Sequence, residues 1–145
     1  MRYLEGFAAG FLSTLVFHQG LLTLLWAMGA LSRVPYDMHA TGPLAVPAVI
    51  SLAFWGGVWG TVIGPALQGA TGGRYWWRAL WLGAVAPSAV ALLIVLPLKG
   101  MPVAGGFDPR IIAGAFVLNG AWGLGVGLLM RLIDRVAANV AVAPA

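Results

Sequence analysis

Four long apolar runs alternate with short polar breaks along this chain, and their length decides the solvent in which it folds. They cover approximately Gly6–Leu31, Val46–Leu67, Ala79–Leu98 and Ile111–Met130. A helix needs about 20 apolar residues to cross a hydrocarbon core, so each run predicts one transmembrane helix. Between them lie Ser32–Ala45, with Pro35, Gly42 and Pro43, and Lys99–Arg110, with Pro102, Gly105, Gly106 and Pro109; both predict irregular loops. The expectation is an all-α membrane protein, a four-transmembrane-helix bundle forming a single domain over residues 1–145. Met1–Glu5 reads as a short amphipathic lead-in, and Ala137–Ala145 as a frayed or surface-lying tail.

Within the runs, small residues recur at every fourth position. Gly56, Gly60 and Gly64 form one ladder around Trp59, and Asn119, Gly123 and Gly127 form another around Trp122. In the first run Gly6, Gly10, Thr14 and His18 share a face by the same spacing. Small faces at helical spacing let backbones approach closely in lipid, where hydrophobicity gives helices no reason to associate. Sliding the chain by 63 superposes Gly57 on Gly120, Trp59 on Trp122, Gly60 on Gly123 and Gly64 on Gly127. The second and fourth helices then become equivalent members of two repeated helical hairpins.

Composition agrees with the pattern: 61% of residues are hydrophobic, 8% are charged, and the mean hydropathy is +0.92. The pI of about 10.4 comes from eight Lys and Arg against four Asp and Glu, scattered through the breaks, so it implies no nucleic-acid partner. In a four-span arrangement Arg2, Arg74, Arg78, Arg131 and Arg135 fall on one side, and Arg33, Lys99 and Arg110 on the other. The positive-inside rule therefore places both termini in the cytoplasm. There is no cysteine, which excludes disulfides, thiolate metal sites and thiol redox chemistry. The first span is too long for a signal h-region and is interrupted by His18 and Gln19, so it is expected to be retained. Alanine and glycine richness suggests a bacterial inner membrane.

Polar and irregular residues gather at the centre of each span: His18 and Gln19 in the first, Gly56 and Gly57 in the second, Pro87 and Ser88 in the third, Asn119 and Gly120 in the fourth. Groups of this kind are costly against lipid and should point into the bundle. Pro87 removes the donor that the Gly83 carbonyl would otherwise receive, which predicts a kink. Trp55, Trp59 and Trp122 lie at similar depth, each with an indole N–H that needs an acceptor. Two readings follow. The cluster is either an internal hydrogen-bonded core or a midplane pocket formed by His18, Gln19, Trp55, Trp59, Ser88, Asn119 and Trp122, suited to a flat lipophilic ligand such as a quinone, a tetrapyrrole or a lipid tail.

Catalysis finds little support. Ser88 lies in Ala-Pro-Ser-Ala, which is no nucleophile turn. All four acids, Glu5, Asp37, Asp108 and Asp134, fall outside the spans, which disfavours proton-coupled transport. Two histidines, one of them the loop residue His39, make bis-histidine haem improbable. Asp37, His39 and Asp108 could face one another across the loops, but Asp-x-His is an unspecific spacing and a fourth metal ligand is missing. The stretch Val117–Gly123 resembles the asparagine-containing helix of small four-span fluoride channels over that one span. The phenylalanine-rich broken third helix of that family has no counterpart here, so the resemblance implies nothing about function. The expectation is a small non-enzymatic membrane protein acting by helix packing through Gly6, Gly10, Thr14, Gly56, Gly60, Gly64, Gly123 and Gly127. It would serve as an accessory or assembly subunit of a membrane complex or as a homo-oligomer. The alternative is ligand binding, or passive conduction of a small solute, through a pocket around His18 and Asn119. The sequence names no cofactor; its partners would be the bilayer and another membrane protein or itself.

Overall fold

The computed structural model describes residues 2–42 and 44–142, and it contains four helices long and apolar enough to cross a membrane. These are α1 (Arg2–Ala27), α2 (Ala48–Ala66), α3 (Gly72–Leu98) and α4 (Pro109–Val142). Their boundaries have local causes. α1 stops where Gly29 takes φ +72°, a left-handed conformation open to glycine at little cost. Ala30 N–H then donates to the Leu25 carbonyl and Gly29 N–H to that of Trp26, both at 2.9 Å, which satisfies the last turn. α4 opens on Pro109, whose fixed φ suits the first helical position. Asp108 caps it by accepting the Arg110 backbone N–H at 2.8 Å.

The elements differ from the apolar runs at their ends. α1 already includes Arg2–Glu5, and α4 continues past Met130 to Val142, because a helix need not end where the hydrocarbon does. Of the expected tail, Ala143–Ala145 lie outside the described residues, as does Pro43 of the first loop. Pro87 sits inside α3 without ending it. The departure from α geometry comes one turn later, in a π-helical segment at Ala91–Val95, and α1 has its own at Thr14–His18. A π turn holds one extra residue and re-aims the side chains beyond it.

α1 packs against α2 on one flank and α4 on the other, and α3 packs against the far side of α4. The spatial order is therefore α2, α1, α4, α3. Arg2 donates to Asp134 at 2.6 Å, so the start of α1 and the end of α4 share one end of the bundle with the α2–α3 link. We call this the terminal end and the opposite one the loop end. There, β1 (Ala40–Thr41) pairs antiparallel with β2 (Val46–Pro47) in the α1–α2 connection.

The glycine ladders are where the helices come closest. A methyl group built on Gly60 would collide with the Gly6 carbonyl and stand 3.0 Å from the Gly10 Cα. One built on Gly123 would collide with the Ala79 carbonyl and stand 2.8 Å from the Gly83 Cα. The two hairpins, α1–α2 and α3–α4, are thus joined by the same backbone contact. The apolar core lies toward the terminal end and contains Ala9, Ile63, Leu67, Tyr75, Ala79, Trp122, Val126 and Met130.

Candidate midplane site

The polar residues of the span centres form three separate contacts. The first is the α1–α4 seam. Gly10 is backbone on one face, so the Trp122 ring can reach across and its Nε1 donates to the Gly10 carbonyl at 2.9 Å. Thr14 Oγ1 donates to the same oxygen at 3.0 Å, and Ser13 Oγ donates to the Trp122 carbonyl at 2.6 Å. All of these groups are buried. In hydrocarbon an unmade hydrogen bond has no water to replace it, so the knot fixes both the rotation and the depth of α1 against α4.

The second contact joins α3 to α4. Asn119 Nδ2 donates to Ser88 Oγ at 2.9 Å. The ladders allow it: Gly83 and Gly123 bring the two backbones together one turn away. Ser88 is fully buried and Asn119 half-buried.

The third lies at the loop end, where His18 and Gln19 are both buried. Gln19 Nε2 faces His18 Nδ1 at 3.4 Å, with the amide as donor and the ring nitrogen as acceptor. Gln19 Oε1 accepts the Tyr36 backbone N–H at 2.7 Å, and Tyr36 Oη donates to the Leu15 carbonyl within the π segment at 2.8 Å. Tyr36 has φ +51°, so these two bonds hold a backbone conformation unfavourable for a tyrosine. Gln19 therefore serves as the anchor for the loop between α1 and α2.

Trp55 and Trp59 join none of these contacts. Trp55 is exposed and lies edge-on to Phe54, with ring centroids 5.8 Å apart. Trp59 is half-buried against the core, and neither indole N–H meets an acceptor among the described residues. The structure thus brings His18 to Gln19, and Ser88 to Asn119, and Trp122 to Gly10, without gathering all seven candidates around one space. Among the described residues every fully buried side-chain nitrogen or oxygen has a partner. A cavity of about 10 Å³ is lined by Gln19, Arg33, Asp37 and Val49 among others, and one of about 30 Å³ by Arg2, Gln68, Tyr75 and Asp134 among others. Each has room for about one water.

Two contributors escaped the sequence reading. Ser13 was legible, since it lies three residues after Gly10 and so near the ladder face. Tyr36 was not, because a loop residue has no periodicity to place it. At the terminal end Tyr75 Oη donates to the Gly127 carbonyl at 2.7 Å, and the Arg131 guanidinium lies 4.1 Å from the Tyr75 ring centre, a cation–π contact. In the α1–α2 loop Asp37 Oδ1 accepts the His39 backbone N–H at 2.9 Å and stands 2.7 Å from its Nδ1. The His39 backbone N–H, and then the His39 ring, hold the Asp37 carboxyl below its usual range. No group of three His, Cys, Asp or Glu that could hold a metal occurs among the described residues. Chemically, the arrangement supplies fixed donors and acceptors between helices, and among the described residues the one acid–base pair between helices, Arg2 with Asp134, lies at the terminal end. No protein family, curated protein or solved structure matches the chain.

Proposed function

We propose that this is a small integral membrane protein that acts by helix packing, as an accessory or assembly subunit of a membrane complex or as a homo-oligomer. The observation that carries the reading is the use of the polar groups at the span centres. Ser13, Ser88, Asn119 and Trp122 bond between helices and set their register, while Thr14 bonds within α1 and Gln19 holds the loop that follows it. Two hairpins built on the same backbone contact support the repeated-hairpin organisation. The excess of arginine at the terminal end supports cytoplasmic termini by the positive-inside rule. Composition supports a bacterial inner membrane.

Native mass spectrometry from gentle detergent, with a visible spectrum of the same sample, tests the reading. The expected result is either a multiple of the 15.1 kDa chain or a complex with a second membrane protein. His18→Ala and Asn119→Ala should weaken that assembly or the fold. A quinone or tetrapyrrole mass that these variants lose while staying folded would transfer the function to the midplane and overturn the packing reading.

A further inference from the structure

The first turns of α3 present two opposite faces. Tyr75, Ala79, Gly83 and Pro87 recur at every fourth residue and are buried on the side that α4 covers. A helix turns by about 100° per residue, so Arg74, Trp77, Arg78 and Trp81 share one sector about 100° wide on the other side. All four are exposed. Trp77 and Trp81 stack on each other, with ring centroids 5.9 Å apart and 16° between their planes.

The depth of this face follows from helix length. The 27 residues of α3 span about 40 Å, against a hydrocarbon core of about 30 Å. The surplus lies at its start, since Ala79–Leu98 is the uninterrupted apolar run. Arg74 and Arg78 therefore stand at headgroup level, and Trp81 stands beside the outermost acyl carbons.

Nothing within the chain answers the charge of the two arginines. No acidic residue occurs between Asp37 and Asp108. At the terminal end Glu5 and Asp134 both stand beside Arg2, at 3.7 and 2.6 Å. Arg131 lies over the rings of Tyr75 and Trp76, which closes the inner side of the same turns. Among the described residues Arg74 and Arg78 meet no carboxylate, no hydrogen-bond acceptor and no aromatic face. Side chains four residues apart on a helix start about 5–6 Å from each other, so both guanidinium forks can close on one phosphodiester. Water alone would also solvate the arginines, but it gives two stacked indoles beneath them nothing to cover. Cations above an apolar shelf match an occupant that is both anionic and amphiphilic.

We propose that Arg74, Arg78, Trp77 and Trp81 bind one anionic phospholipid of the leaflet at the terminal end. The two arginines hold its phosphate, and its glycerol and upper acyl carbons lie along the indole pair. A phosphodiester without an amine suits the site, because the ammonium of a zwitterionic lipid competes with the guanidinium groups for the phosphate. The site is independent of the packing reading above and is the same in a single copy or an assembly.

Titration of the purified protein in detergent with phosphatidylglycerol or phosphatidylcholine, read by native mass spectrometry, tests this. The first adduct on the 15.1 kDa chain should form preferentially with phosphatidylglycerol. A cation held at an anionic surface contributes roughly fivefold in affinity, so Arg74→Gln and Arg78→Gln should each lose about fivefold and the double variant about 25-fold. Phosphatidylcholine binding should not change. Arg135→Gln removes an exposed arginine of the same end on α4 and should leave the preference intact. Circular dichroism checks the fold, and the single variants carry the test if the double variant unfolds. Equal binding of the two lipids overturns the proposal. So does an equal loss in Arg135→Gln, which would mean that only the summed surface charge counts. Displacement of the lipid by glycerol phosphate as readily as by phosphatidylglycerol also overturns it, since the site would then read a free phosphate without the indole shelf.

Discussion

A methyl group added at Gly60 or Gly123 would have to displace a carbonyl of the facing helix, whereas one added at Gly20 meets nothing within 4 Å. The difference comes from what stands opposite each residue, since all three are helical glycines in apolar runs. Gly60→Ala and Gly123→Ala are each expected to destabilise the bundle by about 1–3 kcal/mol, the usual cost of overpacking a close contact. Gly20→Ala should be neutral or mildly stabilising, since alanine is the better helix former by about 1 kcal/mol. Equilibrium unfolding in mixed detergent, followed by circular dichroism, checks this, and three equal responses would refute the ladder contacts. The ladder residues were legible in the sequence because periodicity places them on one face. Which glycines are truly tight was not, because that depends on the neighbour's backbone.

At the scale of elements, the ends of the helices and the α1–α2 loop are held by single side chains. Asp108 is the N-cap of α4, so Asp108→Ala should cost about 1 kcal/mol. The visible effect should be faster amide hydrogen exchange in the first turn after Pro109, with the middle of α4 unchanged. The Asp-Pro pair is a recognisable helix start in the sequence, since proline suits the first helical position and aspartate the cap before it. In the α1–α2 loop the Asp37 carboxylate accepts the His39 N–H, and this lowers its pKa from the ordinary 3.8. The ionised form is thus favoured in the folded loop. Its stabilisation is fully present above the unfolded value and is lost as the pH falls through the depressed folded one. Protection of the loop against limited proteolysis should therefore be flat with respect to this group from neutral pH down to about 5 and should fall below about 4. The same acid sensitivity in Asp37→Asn would show that another group is responsible.

For the molecule as a whole, the Arg2–Asp134 pair ties the first helix to the last at the terminal end. Both partners are substantially exposed, at 36% and 49%, so solvent screening limits the contribution. Asp134→Asn should lower stability by no more than about 1 kcal/mol, with the loss fading in high salt. A larger, salt-independent loss in the same unfolding assay would mean that the pair organises the bundle. The four spans and their small-residue faces could be read from the sequence, because hydropathy and fourfold spacing act locally along a helix. The spatial order α2, α1, α4, α3 could not, because small faces on four helices permit several pairings.

The sequence by itself determined the solvent, the number of spans and the positions where backbones can touch, since length, hydropathy and the absence of a side chain are properties of each residue in place. It also marked Ser88, Asn119, His18, Gln19 and Trp122 as groups in need of partners. Only the tertiary structure decided who those partners are. The π segments at Thr14–His18 and Ala91–Val95 shift side-chain direction partway along α1 and α3, and no periodicity announces such a shift. The place of α2 on the outer flank of α1 then decides that Trp122 is buried in a contact and Trp59 only half-buried, although the two tryptophans occupy the same rung of the same repeat.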